Sequence, residues 1–221
     1  SMLSKEVFDF LLNAVHAKKK ILISGESNSG KTTLLNVLIN SSSLLNKRVV
    51  LLEKTSQICV DSPTLILLNV NEKDVKQAEF TDSILNLEPE YIVSDLNIPI
   101  IDFSEKEGFI STLRSSNVDG AISKLVNEYV VNECLPEKLA KSLVLNNYDY
   151  IVQLNKLKDG RRCVTSIAEL TPARTTALSV KIISKLVDGK YINDFPQPLT
   201  SIIAESLISQ SGSMSSRFCR G

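Results

Sequence analysis

From Gly25 to Thr32 the chain reads GESNSGKT, two glycines with four residues between them, followed directly by lysine and a hydroxyl residue. Residues of these types at this spacing can hold a polyanion. Gly25 and Gly30 permit backbone angles that a Cβ would penalise, so the N–H groups of Glu26, Ser27, Asn28 and Ser29 can turn inward as an anion nest. Lys31 can reach β- and γ-phosphates, the Thr32 hydroxyl can sit on Mg²⁺, and Thr33 completes the segment. Such a loop works only between a strand and a helix, whose partial positive end then points at the same anion. Both flanks are present: ILIS (Ile21–Ser24) reads as a short buried strand, and Lys31 to Asn40 as a helix. Gly25–Thr33 is therefore a nucleotide-binding segment, with ATP and Mg²⁺ as the expected ligands.

Hydrolysis needs more than binding. An acid at the end of a neighbouring strand must help hold Mg²⁺ through water and position or deprotonate the attacking water. Two strand-end acids are available. Glu53 closes RVVLLE and Asp95 closes YIVSD. In a parallel sheet the carboxyl ends of strands lie beside the phosphate loop, so both can face a γ-phosphate.

The elements that must position these groups alternate. Phe8 to Ala17 carries apolar residues at helical spacing and is closed by Lys18, Lys19 and Lys20, whose charges suit a helix C-terminus. Arg48–Glu53, Thr64–Val70 and Tyr91–Leu96 are strands, Val75 to Leu87 and Asn117 to Asn132 helices, and IPIIDF an extended piece. Two alternating runs flank Asp159-Gly160 and predict a hairpin with a tight turn. The pattern predicts an α/β fold with a mostly parallel sheet and an antiparallel C-terminal hairpin. Residues 1–190 form one nucleotide-binding domain, and 191–221 a C-terminal helix over 201–209 with a Ser-rich tail.

Composition narrows the setting. The chain has 221 residues, 43% hydrophobic and 23% charged, with 25 basic and 25 acidic side chains. No global field points to direct nucleic-acid binding. Four scattered cysteines without a CxxC pair, with one histidine (His16, read as a surface or core residue), argue against zinc and for a reducing compartment. Cys163 reads as a small core residue. The opening Ser1-Met2 reads as a cloning remnant, which leaves open whether natural sequence lies upstream.

Four ordered segments carry a resemblance: the phosphate loop, then VVLLEKT, LNLEPEYIVSDL and GFISTL, ahead of the hairpin with Asp159-Gly160-Arg161-Arg162. Together they resemble the secretion ATPases of the type II/type IV secretion and type IV pilus superfamily, over roughly residues 5 to 170. The resemblance implies a RecA-like P-loop NTPase core, Glu53 as the catalytic glutamate, and Asp95 as the Walker B acid that holds Mg²⁺ through water together with Thr32. It also implies hexameric rings of identical subunits, working in the cytoplasm with secretion or pilus machinery at the inner face of a membrane. The chain departs from the family at several points. Lys54 reverses a charge beside Glu53, Ser94-Asp95 replaces Gly-Glu, Asn97 replaces an arginine, and Lys106 and Arg114 stand where the family has histidines. Arg114 is a candidate phosphate sensor.

These residues support an ATPase domain that couples Mg-ATP binding and slow hydrolysis to pilus assembly or to protein or DNA export. The alternative is a degenerate nucleotide-binding pseudo-ATPase that scaffolds or regulates a partner. A P-loop kinase or GTPase fits less well, since no NKxD-like guanine motif and no arginine-rich lid follow the sheet.

Overall fold

The structure is a computed structural model and describes residues 2–41, 44, 47–54, 57–58, 60, 63–70, 82–96, 108–132, 134–172 and 178–196. Its longer helices are α1 (Lys5–His16), α2 (Lys31–Ser41), α3 (Val118–Asn132) and α4 (Glu137–Asn147). The strands are β1 (Lys20–Gly25), β2 (Val49–Glu53), β3 (Leu65–Asn69), β4 (Tyr91–Ser94), β5 (Gly108–Leu113), β6 (Tyr150–Lys156), β7 (Arg162–Pro172), β8 (Leu178–Val187) and β9 (Lys190–Asn193). They form one sheet in the order β3-β2-β4-β5-β1-β6-β7-β8-β9. Pairing is parallel from β3 through β6 and antiparallel from β6 through β9.

The near-continuous apolar runs of β1, β2 and β4 follow from burial on both faces, as a parallel sheet demands. Successive side chains point to opposite faces. Ile21, Ile23, Val49, Leu51, Tyr91, Val93 and Ile110 pack with α1 and α2, while Leu22, Val50, Leu52, Ile92 and Phe109 pack with α3 and α4. Ser4 caps α1, its hydroxyl accepting from the Val7 amide at 3.3 Å, and the Asn117 carboxamide oxygen accepts from the Gly120 amide at 2.7 Å at the start of α3.

Several expectations need correction or extension. The lysine run closes α1 as expected and then goes further: α1 stops at His16, the Lys18 and Lys19 amides donate to the Val15 and Ala14 carbonyls, and Lys20 opens β1. Lys19 pairs with Asp149 at 3.0 Å, and the Lys20 ammonium donates to the Asn146 carbonyl, so the run ties β1 to the α4–β6 junction. GFISTL, matched above only as a motif, is a strand, fully buried between β1 and β4. The helix α4 carried no strong signal. The hairpin is as expected, with Gly160 at φ +86°, and it continues into β8 and β9. The expected boundary after residue 190 falls inside β9; Tyr191 donates to the Val164 carbonyl at 2.8 Å and Phe195 stacks on Phe10. Cys163 is buried, as a small core residue would be. Of the expected helix over 75–87, residues 82–85 are helical; the rest of its length, apart from 86–87, lies outside the described residues, as do 98–103, 201–209 and the tail.

Gly108 opens β5 where the Tyr91 ring lies across the backbone, and a Cβ there would overlap Tyr91 Cε2. Tyr91 is itself buried, so it has no room to yield. Gly108→Ala is expected to destabilise the fold by about 1–3 kcal/mol through overpacking, read as a lower denaturant midpoint with unchanged slope.

Candidate nucleotide-binding site

The carboxyl ends of β1, β2, β4 and β5 converge on the N-terminus of α2. The loop between β1 and α2 turns through Asn28 at φ +60° and Gly30 at φ +101°. Asn tolerates the left-handed region and Gly30 makes it easy at the second position. Gly25 serves a different purpose from the one expected of it. A Cβ there would overlap Ser29 Oγ and stand 2.7 Å from the Leu154 carbonyl oxygen of β6, so space rather than backbone angle demands glycine.

Beside the helix start, Asp95 is held between two hydroxyls. Thr32 Oγ1 donates to its Oδ2 and Thr112 Oγ1 to its Oδ1, each at 2.7 Å. Thr112 is in β5 and buried, and Asp95 follows β4, which pairs with β5. Thr32 gives its proton to Asp95, so the lone pairs of Oγ1 remain for another partner. Hard oxygen donors of this kind suit Mg²⁺, which prefers a few protein oxygens and keeps several waters. Thr32 would supply a direct ligand and Asp95 a ligand through water.

Glu53 sits differently. Its side chain is buried at the end of β2, and Oε2 accepts from the Gln57 and Ile58 amides at 3.1 and 3.3 Å. Oε1 has no hydrogen-bond partner among the described residues. The carboxylate thus braces the chain that follows β2, while Lys54 and Gln57 line the cavity.

Lys31 is folded back on its own loop, donating to the Gly25 and Glu26 carbonyls at 3.0 Å each. Burial pushes its pKa below the ordinary lysine value; Asp95 pulls it back up, while the Arg114 guanidinium opposes that pull. Arg114 follows β5 and meets Glu26 at 3.5 Å. Both side chains are more than half exposed, so the pair contributes little to stability. It does keep a guanidinium at the cavity mouth. The cavity itself has a volume of about 570 Å³ and is bounded by the loop, Thr33, Asp95, Arg114 and Arg162. It brings Asn28, Gly30, Lys31, Thr32, Asp95 and Arg114 together, with Glu53 behind its wall.

The chain is 28% identical to the type IV secretion system protein VirB11 of Bartonella quintana, over 74% of this chain and 50% of that protein. It is 27% identical to a probable conjugal transfer protein TrbB of Sinorhizobium fredii, over 68% and 48%. The chain thus spans about half the length of the curated relatives it matches. The fold matches a crystal structure of the VirB11 ATPase from the Brucella suis type IV secretion system in complex with sulphate. That match has a TM-score of 0.66 at 23% identity, over 74% of this chain and 52% of that one. These relatives belong to the type II/type IV secretion and type IV pilus ATPase superfamily, and the chain is similar to them. No model of a known protein family matches it. Its core is the RecA-like one of these traffic ATPases, a mostly parallel sheet continued by antiparallel strands. No helix among the described residues is long and apolar enough to cross a membrane.

Sequence reasoning missed Thr112 and the cavity-facing Arg162. The signal for Thr112 was the hydroxyl pair in GFISTL, which acquires meaning only once β5 lies beside β4. Thr112→Val keeps the shape and removes the donor to a charged acceptor, a loss of about 1.5–3 kcal/mol. If Asp95 acts in hydrolysis, phosphate release is expected to fall about 10-fold or more, with ATP affinity little changed. Equal loss of affinity and rate would instead mark Thr112 as purely structural.

Proposed function

We propose that this chain binds Mg-ATP at Gly25–Thr33 and hydrolyses it slowly, as the nucleotide-binding part of a secretion- or pilus-type motor. The observation that carries the reading is the Thr32–Asp95–Thr112 chain of hydrogen bonds at the start of α2, facing a cavity rimmed by Lys31 and Arg114. A hydroxyl, a carboxylate and cations side by side support triphosphate chemistry at this cavity.

In this reading the loop amides and the α2 N-terminus receive the phosphates, and Lys31 swings from the Gly25 and Glu26 carbonyls to them. Arg114 leaves Glu26 for the terminal phosphate and stabilises charge that develops there. Asp95 orients the attacking water and accepts its proton, held in place by Thr112. Thr32 and, through water, Asp95 would hold Mg²⁺, which when bound would neutralise phosphate charge. Glu53 contributes once the chain after β2 shifts, freeing its carboxylate from the Gln57 and Ile58 amides. The departures at Lys54, Ser94-Asp95 and Arg114 make the turnover slow. By likeness to the relatives, the working assembly is a ring of identical subunits, hexameric and cytoplasmic, seated on membrane machinery that assembles pili or exports protein or DNA.

The second reading, a pseudo-ATPase that regulates or scaffolds a partner, is favoured by Glu53 being committed to backbone amides and lying outside the cavity. Phosphate release by the wild type, compared with Lys31→Ala alongside a binding titration, separates the two. Turnover lost in Lys31→Ala supports the motor; ATP binding without release above Lys31→Ala supports the holder.

A further inference from the structure

Arg114 reaches the cavity mouth on a side chain that lies mostly in solvent, paired with Glu26. It must leave that partner to meet a phosphate, so its aim depends on how firmly its backbone is held. That backbone is tied from three sides. The Arg114 carbonyl accepts from the ammonium of Lys124, on the exposed face of α3. The Ser115 amide donates to the Gly25 carbonyl at 3.3 Å, and the Ser115 carbonyl accepts from Gln153 Nε2 at 3.4 Å. Gly25 opens the phosphate loop, and its carbonyl also receives the Lys31 ammonium. The root of Arg114 and the loop lysine thus share one acceptor.

Gln153 is the least expected of these groups. It lies in β6 opposite Ser24 of β1 and is 2% exposed, with the core residues Val152 and Leu154 on either side. Its Nε2 also reaches the Leu154 carbonyl at 3.3 Å and Asn155 Oδ1 at 3.0 Å, while Oε1 has no partner among the described residues. A buried oxygen without a partner is costly, so an apolar side chain would suit the sheet better. What the amide supplies is a donor that joins β6 to the chain leaving β5, across the end of β1.

We infer that Gln153 and Lys124 are positioning residues for Arg114, fixing the backbone around it so that its guanidinium distinguishes a nucleotide with a terminal phosphate from one without. The inference rests on the reading of Arg114 as the phosphate sensor and adds what aims it. A long side chain loses rotamer freedom when it engages a ligand, and a fixed root confines the search. Glu26 and the terminal phosphate then compete for one cation at the two ends of a short swing. Gln153 and Lys124 do not line the cavity, so both act through Arg114.

The test is calorimetric titration with Mg-ADP and the non-hydrolysable Mg-AMPPNP, whose affinity ratio reports the terminal phosphate. Gln153→Met keeps the length of the side chain and removes the donor. Lys124→Met does the same on an exposed helix face, away from the core, and Lys124→Arg retains a donor. Arg114→Ala is expected to lower the preference for AMPPNP by about 10-fold. Each Met variant is expected to lower it by about 3-fold or more with ADP affinity unchanged, and Lys124→Arg to keep the wild-type preference. Combined with Arg114→Ala, neither Met substitution lowers it further, because the group they aim is gone. Should Gln153→Met fail to fold, the Lys124 variants decide. Equal weakening of both nucleotides, or a loss that adds to that of Arg114→Ala, overturns the inference and leaves these bonds to the fold alone. An unchanged preference in a Met variant strikes that residue from the role. An unchanged preference in Arg114→Ala overturns the sensor, and wild type that binds neither nucleotide overturns the nucleotide reading itself.

Discussion

Lys31→Ala is expected to lower Mg-ATP affinity by about 100-fold or more and to remove any phosphate release. Hydrogen bonds to charged groups contribute about 1.5–3 kcal/mol each, and the ammonium can make more than one to the phosphates, so the loss compounds. The empty protein behaves in the opposite sense. Burial holds the Lys31 pKa below the ordinary lysine value, so at neutral pH the folded chain carries the cost of a partly desolvated charge. Below the lowered pKa this cost is present in full. As pH rises from there towards 10.5, the unfolded chain keeps a proton the folded chain has released, and stability climbs. Lys31→Met, which keeps the apolar stem, is therefore expected to unfold at a slightly higher temperature than wild type without nucleotide, and to gain nothing from added ATP. A variant that loses binding because it misfolds would show the reverse.

Asp95→Asn is the second large effect. The substitution keeps size and removes the charge and the base, and because the new amide nitrogen donates, one of the Thr32 and Thr112 hydroxyls must turn to accept. Loss of an acid–base group costs about 10²–10⁴-fold in rate, and phosphate release is expected to fall within that range. ADP affinity is expected to change by less than about 10-fold, because Asp95 reaches the metal only through water. Single-turnover release and ADP titration on the same samples separate the two quantities. Retention of full activity would transfer the base to Glu53 and require the chain after β2 to rearrange.

The phosphate loop was legible because everything it needs is local: Gly30 and Lys31 act within one turn of their neighbours, and the flanking strand and helix are contiguous. The parallel strands were legible because burial on both faces writes itself as unbroken apolar runs, as in VVLLE. GFISTL was not read as a strand because its opening glycine weakens strand preference and the run is short. Its identity comes from lying between β1 and β4, with Gly108 making room for Tyr91 and Thr112 reaching Asp95. The helix α4 was silent because it buries little, Ala140, Val144 and Asn147 on one narrow face. Glu53 shows the limit at the site. Its place at a strand end follows from the sequence, but the direction of its carboxylate is set by amides at Gln57 and Ile58, which no strand pattern foretells.

Steady-state phosphate release from the purified wild-type chain with Mg-ATP, set against Lys31→Ala, tests the central claim most directly. Slow, saturable release that vanishes in Lys31→Ala is the predicted result. Saturable ATP binding with release no greater than that of Lys31→Ala would contradict it and leave a protein that holds nucleotide without hydrolysing it.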